Sequence, residues 1–407
     1  MRAVVDFQGE TLDLETPAER VVACWRGPEG LKPGEVGSAI GQALEAPRDF
    51  PALREMIVPG DRVALAVDPT IPVPGLVVEQ VATVLEAAGG DRDALTVVMP
   101  GTTPAQEEGQ RLGGVRVAVH DPDDRAGIAY LASTREGRRV YLNRLLTDAD
   151  VVLPVGRLGY DSDLGFRGPW SVLFPGLSNR ETLRNFRDHA LPQPGIGMLT
   201  GPGARARLDE SIEVSWLLGT QFYLGIIPSA RGVLDVVAGR DAAVREQGIA
   251  VVEREWKLEA PSRAELVVAG VGGAESPATL AEIAAALETA TQLVQHGGKI
   301  VVLSRAAGAI GPAVQRLMGL DDPREFTAAL RGHEADEDAP IARRIAQATA
   351  WCDVFLSSAL DPETVEALSI VPLERPDQAR RLAASSGSVT IVSRAELTYA
   401  RVVDEID

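Results

Sequence analysis

Residues 156–176, GRLGYDSDLGFRGPWSVLFPG, carry the strongest indication of how this chain folds. They follow an apolar run at 151–155, and they combine several glycines with Asp161, Asp163 and Arg167. Glycine tolerates positive φ and lets a backbone approach another group closely. In an α/β sheet, ligands usually bind at the carboxyl ends of the strands. The stretch therefore predicts a ligand-binding loop that follows a buried strand.

Outward from this stretch, short apolar runs alternate with helical patterns. The first 14 residues, MRAVVDFQGETLDL, predict a strand hairpin. Further strands are predicted at 62–67, 94–99, 115–119, 151–155, 265–269, 299–304 and 354–356, and helices at 77–88, 106–112, 277–296 and from 308 to 317. This alternation is typical of βαβ units with a mostly parallel sheet.

A chain of 407 residues is longer than most chains that fold around a single hydrophobic core, so two domains are expected. Pro261 and the charged residues around it interrupt the pattern between 257 and 263. We therefore predict an α/β protein of two domains, residues 1–262 and 263–407. Each is expected to hold a mostly parallel sheet flanked by helices, with a ligand cleft between the two.

The charge and the apolar patterning exclude several classes of function. A formal net charge of −18 leaves no basic stripe to neutralise phosphates, which argues against nucleic acid and anionic membrane surfaces as partners. No apolar run reaches the roughly 18 residues of a membrane span, and the N-terminus lacks the apolar core of a signal peptide. Cys24 and Cys352 form no disulfide framework or zinc-ligand spacing. A cytoplasmic protein is expected.

The frame of glycines and prolines in 156–176 resembles the core motif of the nickel-pincer lactate racemase family. Further segments of the chain resemble that family in the same order: ALEAPRDFPALREMIVPGDRVALAVDPTIPVPG at 43–75, GTTPAQEEGQRLGG at 101–114, HDPDD at 120–124, PGLSNRETLRN at 175–185 and GGKIVVLSRAAGAIG at 297–311. Each segment alone is a weak signal. Their shared order and spacing extend the resemblance over nearly the whole chain.

The resemblance implies a reaction that interconverts the two stereoisomers of a 2-hydroxy acid. In that family a hydride leaves the carbinol carbon for a pyridinium cofactor that carries nickel, and it returns to the opposite face. Two histidines act as general bases, one on each face. A further histidine binds nickel, a lysine tethers the cofactor, and an arginine binds the substrate carboxylate.

The positions that the resemblance assigns to substrate binding and proton transfer hold other residues here. Asp68 is kept, but Ile71 stands where the arginine is expected. Thr102 is followed by Thr103 in place of a histidine. Asp161 stands at the histidine position before the Gly-Phe pair.

The positions for the cofactor tether and the last histidine have changed as well. Ser171, beside Trp170, replaces the lysine, and Asn185 is followed by Phe186 in place of a histidine. A serine ester hydrolyses too readily to serve as a permanent tether. We therefore expect neither the nickel-pincer cofactor nor another metal.

Other polar residues leave alternatives open. His189 is a weak candidate for a catalytic base and otherwise a histidine on a helix surface. Asp161 and Asp163 can bind a hard cation together with Asp68, or they can accept backbone N–H bonds in the loop. Arg167 can hold a substrate anion or pair with Asp161 or Asp163.

His120 is followed by Asp121 and Pro122, and this tripeptide predicts a turn at the end of a strand. A metal role for His120 is the other interpretation. The candidate catalytic residues are thus Asp161 and His189. The candidate cleft residues are Asp68, Thr70, Thr102, Thr103, Tyr160, Asp163, Arg167, Trp170, Ser171 and Asn185.

The leading hypothesis is a catalytically degenerate homologue that binds a small anionic hydroxy acid, or that acts as a homo-oligomer or as the partner of an intact family member. The alternative is an active racemase or epimerase of 2-hydroxy acids with altered catalytic residues. A dinucleotide-binding protein is disfavoured because no G-x-G-x-x-G follows a first strand. The sequence leaves open whether Trp170 and Phe186 fill the cleft.

Overall fold

The computed structural model of the chain describes residues 3–101, 110–161, 164–188, 202–273, 278–320, 322–333 and 336–403. The chain divides into two compact units. One unit comprises residues 29–253, and the other combines residues 1–28 with residues 254–407.

The strands in the described residues are β1 Val4–Phe7, β2 Glu10–Asp13, β3 Val21–Trp25, β4 Val63–Val67, β5 Leu95–Pro100, β6 Arg111–Leu112, β7 Val115–His120, β8 Ile128–Ser133, β9 Arg139–Asn143, β10 Val151–Arg157, β11 Gly159–Asp161, β12 Gly165–Arg167, β13 Tyr223–Pro228, β14 Val233–Gly239, β15 Lys257–Ala260, β16 Ala264–Gly270, β17 Val294–Leu303, β18 Asp353–Ser357, β19 Val371–Pro372, β20 Val389–Ser393 and β21 Tyr399–Val402. The helices are α1 Pro33–Glu45, α2 Pro74–Ala87, α3 Arg144–Thr147, α4 Pro169–Leu173, α5 Arg180–Asp188, α6 Pro202–Leu217, α7 Asp241–Glu255, α8 Leu280–Leu293, α9 Pro312–Gln315, α10 Pro323–Ala329, α11 Ala339–Trp351, α12 Pro362–Glu366 and α13 Gln378–Ser385.

The unit of residues 29–253 is built on one mostly parallel sheet. Within its described residues, the strand order is β14-β13-β10-β4-β5-β7-β6. Strands β13, β10, β4, β5 and β7 run parallel, while β14 and β6 are antiparallel to their neighbours at the two edges. The strand predicted at 151–155 is thus a central strand, β10, paired on both sides.

Alternate residues of the central strands face opposite sides of this sheet, as the pleat requires. Leu65 and Val155 face a cluster that includes Val77 and Val81 of α2. Ala66 belongs to a cluster on α4 that includes Leu173. Because both faces are covered, these strands are apolar throughout and not alternating.

The second unit holds a parallel sheet with the order β19-β18-β17-β16-β20-β3 in its described residues. Val267 and Ile300 belong to the cluster that also contains Leu287 of α8 and Ile345 of α11. These strands and helices form the βαβ pattern that the second half of the sequence predicts. The α/β class and the mostly parallel sheets are therefore confirmed.

The first 28 residues form part of this second unit. The hairpin predicted at the N-terminus is present as the antiparallel pair β1–β2. Phe7 is buried in one cluster with Leu266 and Val301 of the sheet. Strand β3 pairs with β20 through Cys24 and Ile391 and so extends the same sheet.

The division of the chain consequently differs from the predicted domains 1–262 and 263–407. The boundary lies between residues 253 and 254, and residues 1–28 belong with the C-terminal part. The reason is physical, since the apolar face of the β1–β2 hairpin is buried against strands that occur more than 250 residues later in the sequence.

One predicted helix is wrong where the structure describes it. The helix expected at 106–112 ends in Arg111–Leu112, and these two residues form the edge strand β6. The rest of that segment lies largely outside the described residues. No helix in the described ranges is long and apolar enough to cross a membrane.

Phe7→Ala tests the assignment of the N-terminal hairpin. Phe7 is fully buried against strands of the second unit, so its truncation should cost that unit about 3–5 kcal/mol. Hydrogen exchange measured by mass spectrometry should become faster in β16 and β20. Faster exchange in β4 and β10, with β16 and β20 unaffected, would instead support the domain boundary predicted from the sequence.

Candidate functional site

Two neighbouring strands of the seven-stranded sheet end together and position the candidate site. Strands β4 and β10 are parallel, with Val67 paired to Val155. Asp68 follows β4 directly, and its backbone N–H donates to the Val155 carbonyl at 2.9 Å. Arg157 is the last residue of β10. The hairpin β11–β12 and helix α4 come next in the chain, so the motif of residues 156–176 lies at the carboxyl ends of these strands.

The Asp68 carboxylate is the centre of the site. Its Oδ1 accepts hydrogen bonds from the Thr70 backbone N–H at 2.8 Å and the Thr70 hydroxyl at 2.7 Å. Its Oδ2 accepts from Arg167 Nη2 at 2.8 Å and from the Arg157 backbone N–H at 3.4 Å. The Asp68 side chain is 2% exposed, so these donors take the place of water.

Two opposing effects set the protonation of Asp68. Burial by itself raises the pKa of the carboxyl group. The charges of Arg167 and Arg157 and the hydrogen bonds from Thr70 together outweigh it, and the pKa of Asp68 is lowered below its ordinary value. Asp68 is therefore ionised at neutral pH, where it binds Arg167, the Arg157 backbone and the Thr70 turn.

Asp161 and Arg167 lie on the two strands of the hairpin β11–β12, where Asp161 is paired with Gly165 and Arg167 with Gly159. Asp161 Oδ1 accepts the Leu164 backbone N–H at 3.0 Å, which confirms that this carboxylate satisfies the loop backbone. Its Oδ2 lies 3.9 Å from Arg167 Nη1. Arg167 therefore forms its closer ion pair with Asp68, which the sequence did not indicate, and a longer one with Asp161, which was one of the alternatives left open.

The glycines of the motif allow α4 to pack directly on β10. A Cβ on Gly156 would lie 2.6 Å from the Cα of Pro169, and a Cβ on Gly168 would lie 2.5 Å from the Trp170 ring. No larger residue fits at either position without moving α4. Trp170 is completely buried as a result, and its ring lies 6.4 Å from that of Phe166.

Ser171 lies inside this packed helix. Its side chain is 8% exposed, and its Oγ accepts the Gly168 backbone N–H at 3.3 Å. Phe186, on α5, is also buried and makes an edge-to-face contact with Phe174 at 5.1 Å. These residues act as core and helix cap in the unit of residues 29–253.

The other candidate residues divide into three groups. Thr70 is bound to Asp68, and Tyr160 is buried within the hairpin. Asn185 is exposed on α5. Outside the described residues are Thr102, Thr103, Asp163 and His189.

Sequence reasoning missed Arg157, whose backbone and charge both act on Asp68. Its position offered a signal, because it ends a central parallel strand directly after a glycine that the motif retains. No group of three or more His, Cys, Asp and Glu side chains that could hold a metal ion is found among the described residues. The Asp68 carboxylate in particular is engaged by Arg167.

His120 has a structural role at the end of β7. Its Nε2 donates to the Ser178 carbonyl at 2.9 Å, and its Nδ1 accepts from the Asn143 amide at 3.1 Å. Burial lowers the pKa of His120, which favours this neutral form. Since both ring nitrogens are engaged, a metal role does not fit. The adjacent turn is confirmed, because the Asp121 carboxylate accepts the Asp123 backbone N–H at 2.9 Å.

Comparisons with known proteins agree with the motif. Residues 7–197 match the family model of the lactate racemase N-terminal domain. The structure is similar to the lactate racemase apoprotein from Thermoanaerobacterium thermosaccharolyticum, with a TM-score of 0.79 and 17% identity over 98% of this chain and 100% of that chain. It is also similar to a protein from Thermotoga maritima, with a TM-score of 0.66 and 14% identity over 92% and 99% of the two chains. No curated protein matches the sequence.

Asp68→Asn should destabilise the unit of residues 29–253 by about 3–5 kcal/mol at pH 7, since it leaves the arginines without their buried anion. The folded pKa of Asp68 lies below the unfolded value of about 3.9, so its stabilisation is complete above that pH and is lost as the pH falls further. The difference in unfolding free energy between wild type and variant should therefore narrow below about pH 4. Chemical denaturation at several pH values measures it.

Asp123→Asn is the matched control, because it removes the carboxylate of an exposed arginine pair, Asp123–Arg180. It should leave the unfolding free energy nearly unchanged. A loss for Asp68→Asn no larger than that of this control would contradict the buried ion pair.

His120→Asn should change how stability depends on pH. The unfolded chain protonates this histidine below about pH 6.5, whereas burial lowers the pKa of His120 in the folded chain, which therefore takes up the proton only at a lower pH. Wild-type stability should therefore fall as the pH decreases through 6.5, by up to about 1.4 kcal/mol per pH unit from this residue alone. Denaturation midpoints between pH 8 and pH 5 should show a flatter slope in the variant, and equal slopes would contradict the assignment.

Proposed function

Since this chain is a lactate racemase homologue by its N-terminal domain and its fold, we propose that it binds a small hydroxy acid without racemising it through a nickel-pincer cofactor. Two properties of the site support this function. The groups that would hold the cofactor do not fit it, while a guanidinium suited to a carboxylate is placed at the same edge of the sheet.

Ser171 carries the proposal. The resemblance assigns the tethering lysine to this position, and the residue present is a buried serine whose oxygen accepts a hydrogen bond inside α4. In the sequence, Lys32 is the only lysine between residues 29 and 253, and it pairs with Glu35 at the start of α1. The position that the resemblance assigns to the tether therefore carries no amine.

The positions that the resemblance assigns to histidines support the same conclusion. Phe186 is an apolar core residue, and His120, in the same unit, has both ring nitrogens in hydrogen bonds. Asp161 is held in its hairpin by the Leu164 N–H and by Arg167. This carboxylate is thus engaged within its hairpin at a position where the resemblance places a histidine base.

Arg167 supports the retained binding of an acid. The resemblance places the carboxylate-binding arginine at position 71, where Ile71 is now buried and only 4% exposed. Arg167 approaches the same turn from β12 and binds Asp68, which begins that turn. The positive charge lost at position 71 is thus supplied from a different strand.

Incubation of the purified full-length protein with L-lactate or D-lactate in D2O tests the proposal. NMR should detect no deuterium at C2, and chiral chromatography should detect no opposite enantiomer. Nickel measured by mass spectrometry should be far below one ion per chain, also after incubation with an extract that supplies the cofactor to an active lactate racemase. Turnover of either enantiomer, or stoichiometric nickel with a pyridinium chromophore, would favour the active alternative.

A further inference from the structure

We propose that the hairpin β8–β9 is the contact surface of a homodimer, in which the outer edge of β8 lies antiparallel to β8 of a second copy. This surface belongs to the unit of residues 29–253. It is separate from the candidate site, because the hairpin carries none of the candidate site residues. A two-fold contact of this kind uses the same patch on both copies, so the patch must be complementary to itself.

One edge of the hairpin is covered and the other is open. The far edge of β9 is bonded to residues 177–179 through the carbonyl of Tyr141 and the N–H of Asn143. Antiparallel strands use alternate residues for their two neighbours, so Leu142 bonds across the hairpin and the backbone of Tyr130 faces the outer edge of β8. Among the described residues, no backbone group from outside the hairpin bonds to the middle of β8.

Strand β8 lacks the residues that usually protect an open edge. Its sequence, IAYLAS, contains neither a charge nor a proline. One face is fixed, because Leu131 packs against the cluster that includes Val140 and Phe174. The register shifts between Tyr130 and Ala132, which limits regular pairing to a few residues. A stable contact therefore needs side chains on both sides of the strand.

The two ends of the hairpin carry opposite charge. The base, residues 121–125, holds three aspartates and one arginine, a net charge of −2, and the tip, residues 134–139, holds three arginines and one glutamate, a net charge of +2. Some of these charges are paired within the chain, but no ion pair with described residues is found for Asp124 or Arg139. The closest carboxylate to Arg135 is 3.9 Å away.

This distribution fits a second copy of the chain in antiparallel orientation. A net charge of −18 makes two copies repel each other overall, so they need a contact whose local charges are complementary. The antiparallel arrangement places each base beside the tip of the other copy. The attraction between opposite charges therefore occurs twice in the dimer.

Exposed apolar side chains follow the same arrangement. Of the six large apolar side chains that are exposed in the described residues, three lie on or beside this hairpin. Tyr130 is 54% exposed in the middle of β8, and Leu145 is 42% exposed on α3, directly after β9 at the base. Trp216 is 73% exposed on α6, three residues after Glu213, which accepts the Arg135 N–H of the tip at 2.8 Å. Apolar area is thus available at the base, the middle and the tip.

Sedimentation equilibrium of the full-length protein tests the inference through two charge-reversal variants. The tip variant, Arg135→Glu with Arg139→Glu, changes the tip from +2 to −2, and the base variant, Asp121→Lys with Asp124→Lys, changes the base from −2 to +2. Each variant alone brings like charges together and should weaken dimerisation by at least about tenfold. An equimolar mixture of the two should form a dimer again, because each base then meets a tip of opposite charge.

Arg254→Glu with Arg375→Glu is the matched control. It gives the net charge of the tip variant through two exposed residues outside the hairpin, so it should leave dimerisation nearly unchanged. Tyr130→Lys places an ammonium group on each copy at the middle of the contact and should also weaken the dimer by at least about tenfold. Circular dichroism checks that each variant is folded.

Loss of the dimer in both charge variants and its recovery in their mixture support the inference. A wild-type protein that remains monomeric at about 200 μM, a concentration well above the dissociation constant of a small specific interface, overturns it. A dimer that neither charge variant weakens, or that the mixture fails to restore, overturns it as well. If one charge variant fails to fold, a dimer that persists in Tyr130→Lys contradicts the inference.

Discussion

The buried carboxylate of Asp68 determines how the segments at the carboxyl ends of β4 and β10 are arranged in the unit of residues 29–253. An ionised group that is removed from water must find donors inside the protein, or folding becomes too costly. Asp68 finds them in Thr70 of its own turn, in the backbone of β10 and in Arg167 of β12. Three segments of the chain thereby converge on one side chain. The loop after β4, the end of β10 and the hairpin β11–β12 are held together by this group.

The glycines of the motif serve a second requirement, which is independent of any ligand. Gly156 and Gly168 are needed because α4 and the Trp170 ring pack where a Cβ would stand. This requirement explains why the glycines of the motif are needed for the packing of α4, whether or not a ligand binds at this edge of the sheet. Backbone packing preserves the glycines, and Ser171 and Phe186 fit the same fold as cap and core.

Local sequence patterns predicted much of this structure. The central strands, the long helices α2 and α8 and the β1–β2 hairpin are visible as apolar periodicity and turn residues. The place of that hairpin was not predictable, because its buried face meets strands that are distant in sequence. The pair of Arg167 with Asp161 was among the alternatives that the local sequence offered, whereas its closer partner Asp68 lies 99 residues away and was not predictable from local sequence. Within the site, the backbone role of Asp161 followed from its loop, whereas the contribution of Arg157 depends on the alignment of β10 with β4.

A double-mutant cycle on Asp68 and Arg167 tests most directly whether this ion pair organises the site. The free energies of unfolding of Asp68→Asn, Arg167→Met and the double variant are measured by denaturant titration at pH 7. Because each single variant leaves a charged partner at least partly buried, the double variant should lose less than the sum of the two singles. The coupling free energy should exceed about 1 kcal/mol. Additivity to within about 0.5 kcal/mol would show that the two side chains act independently and would contradict the account.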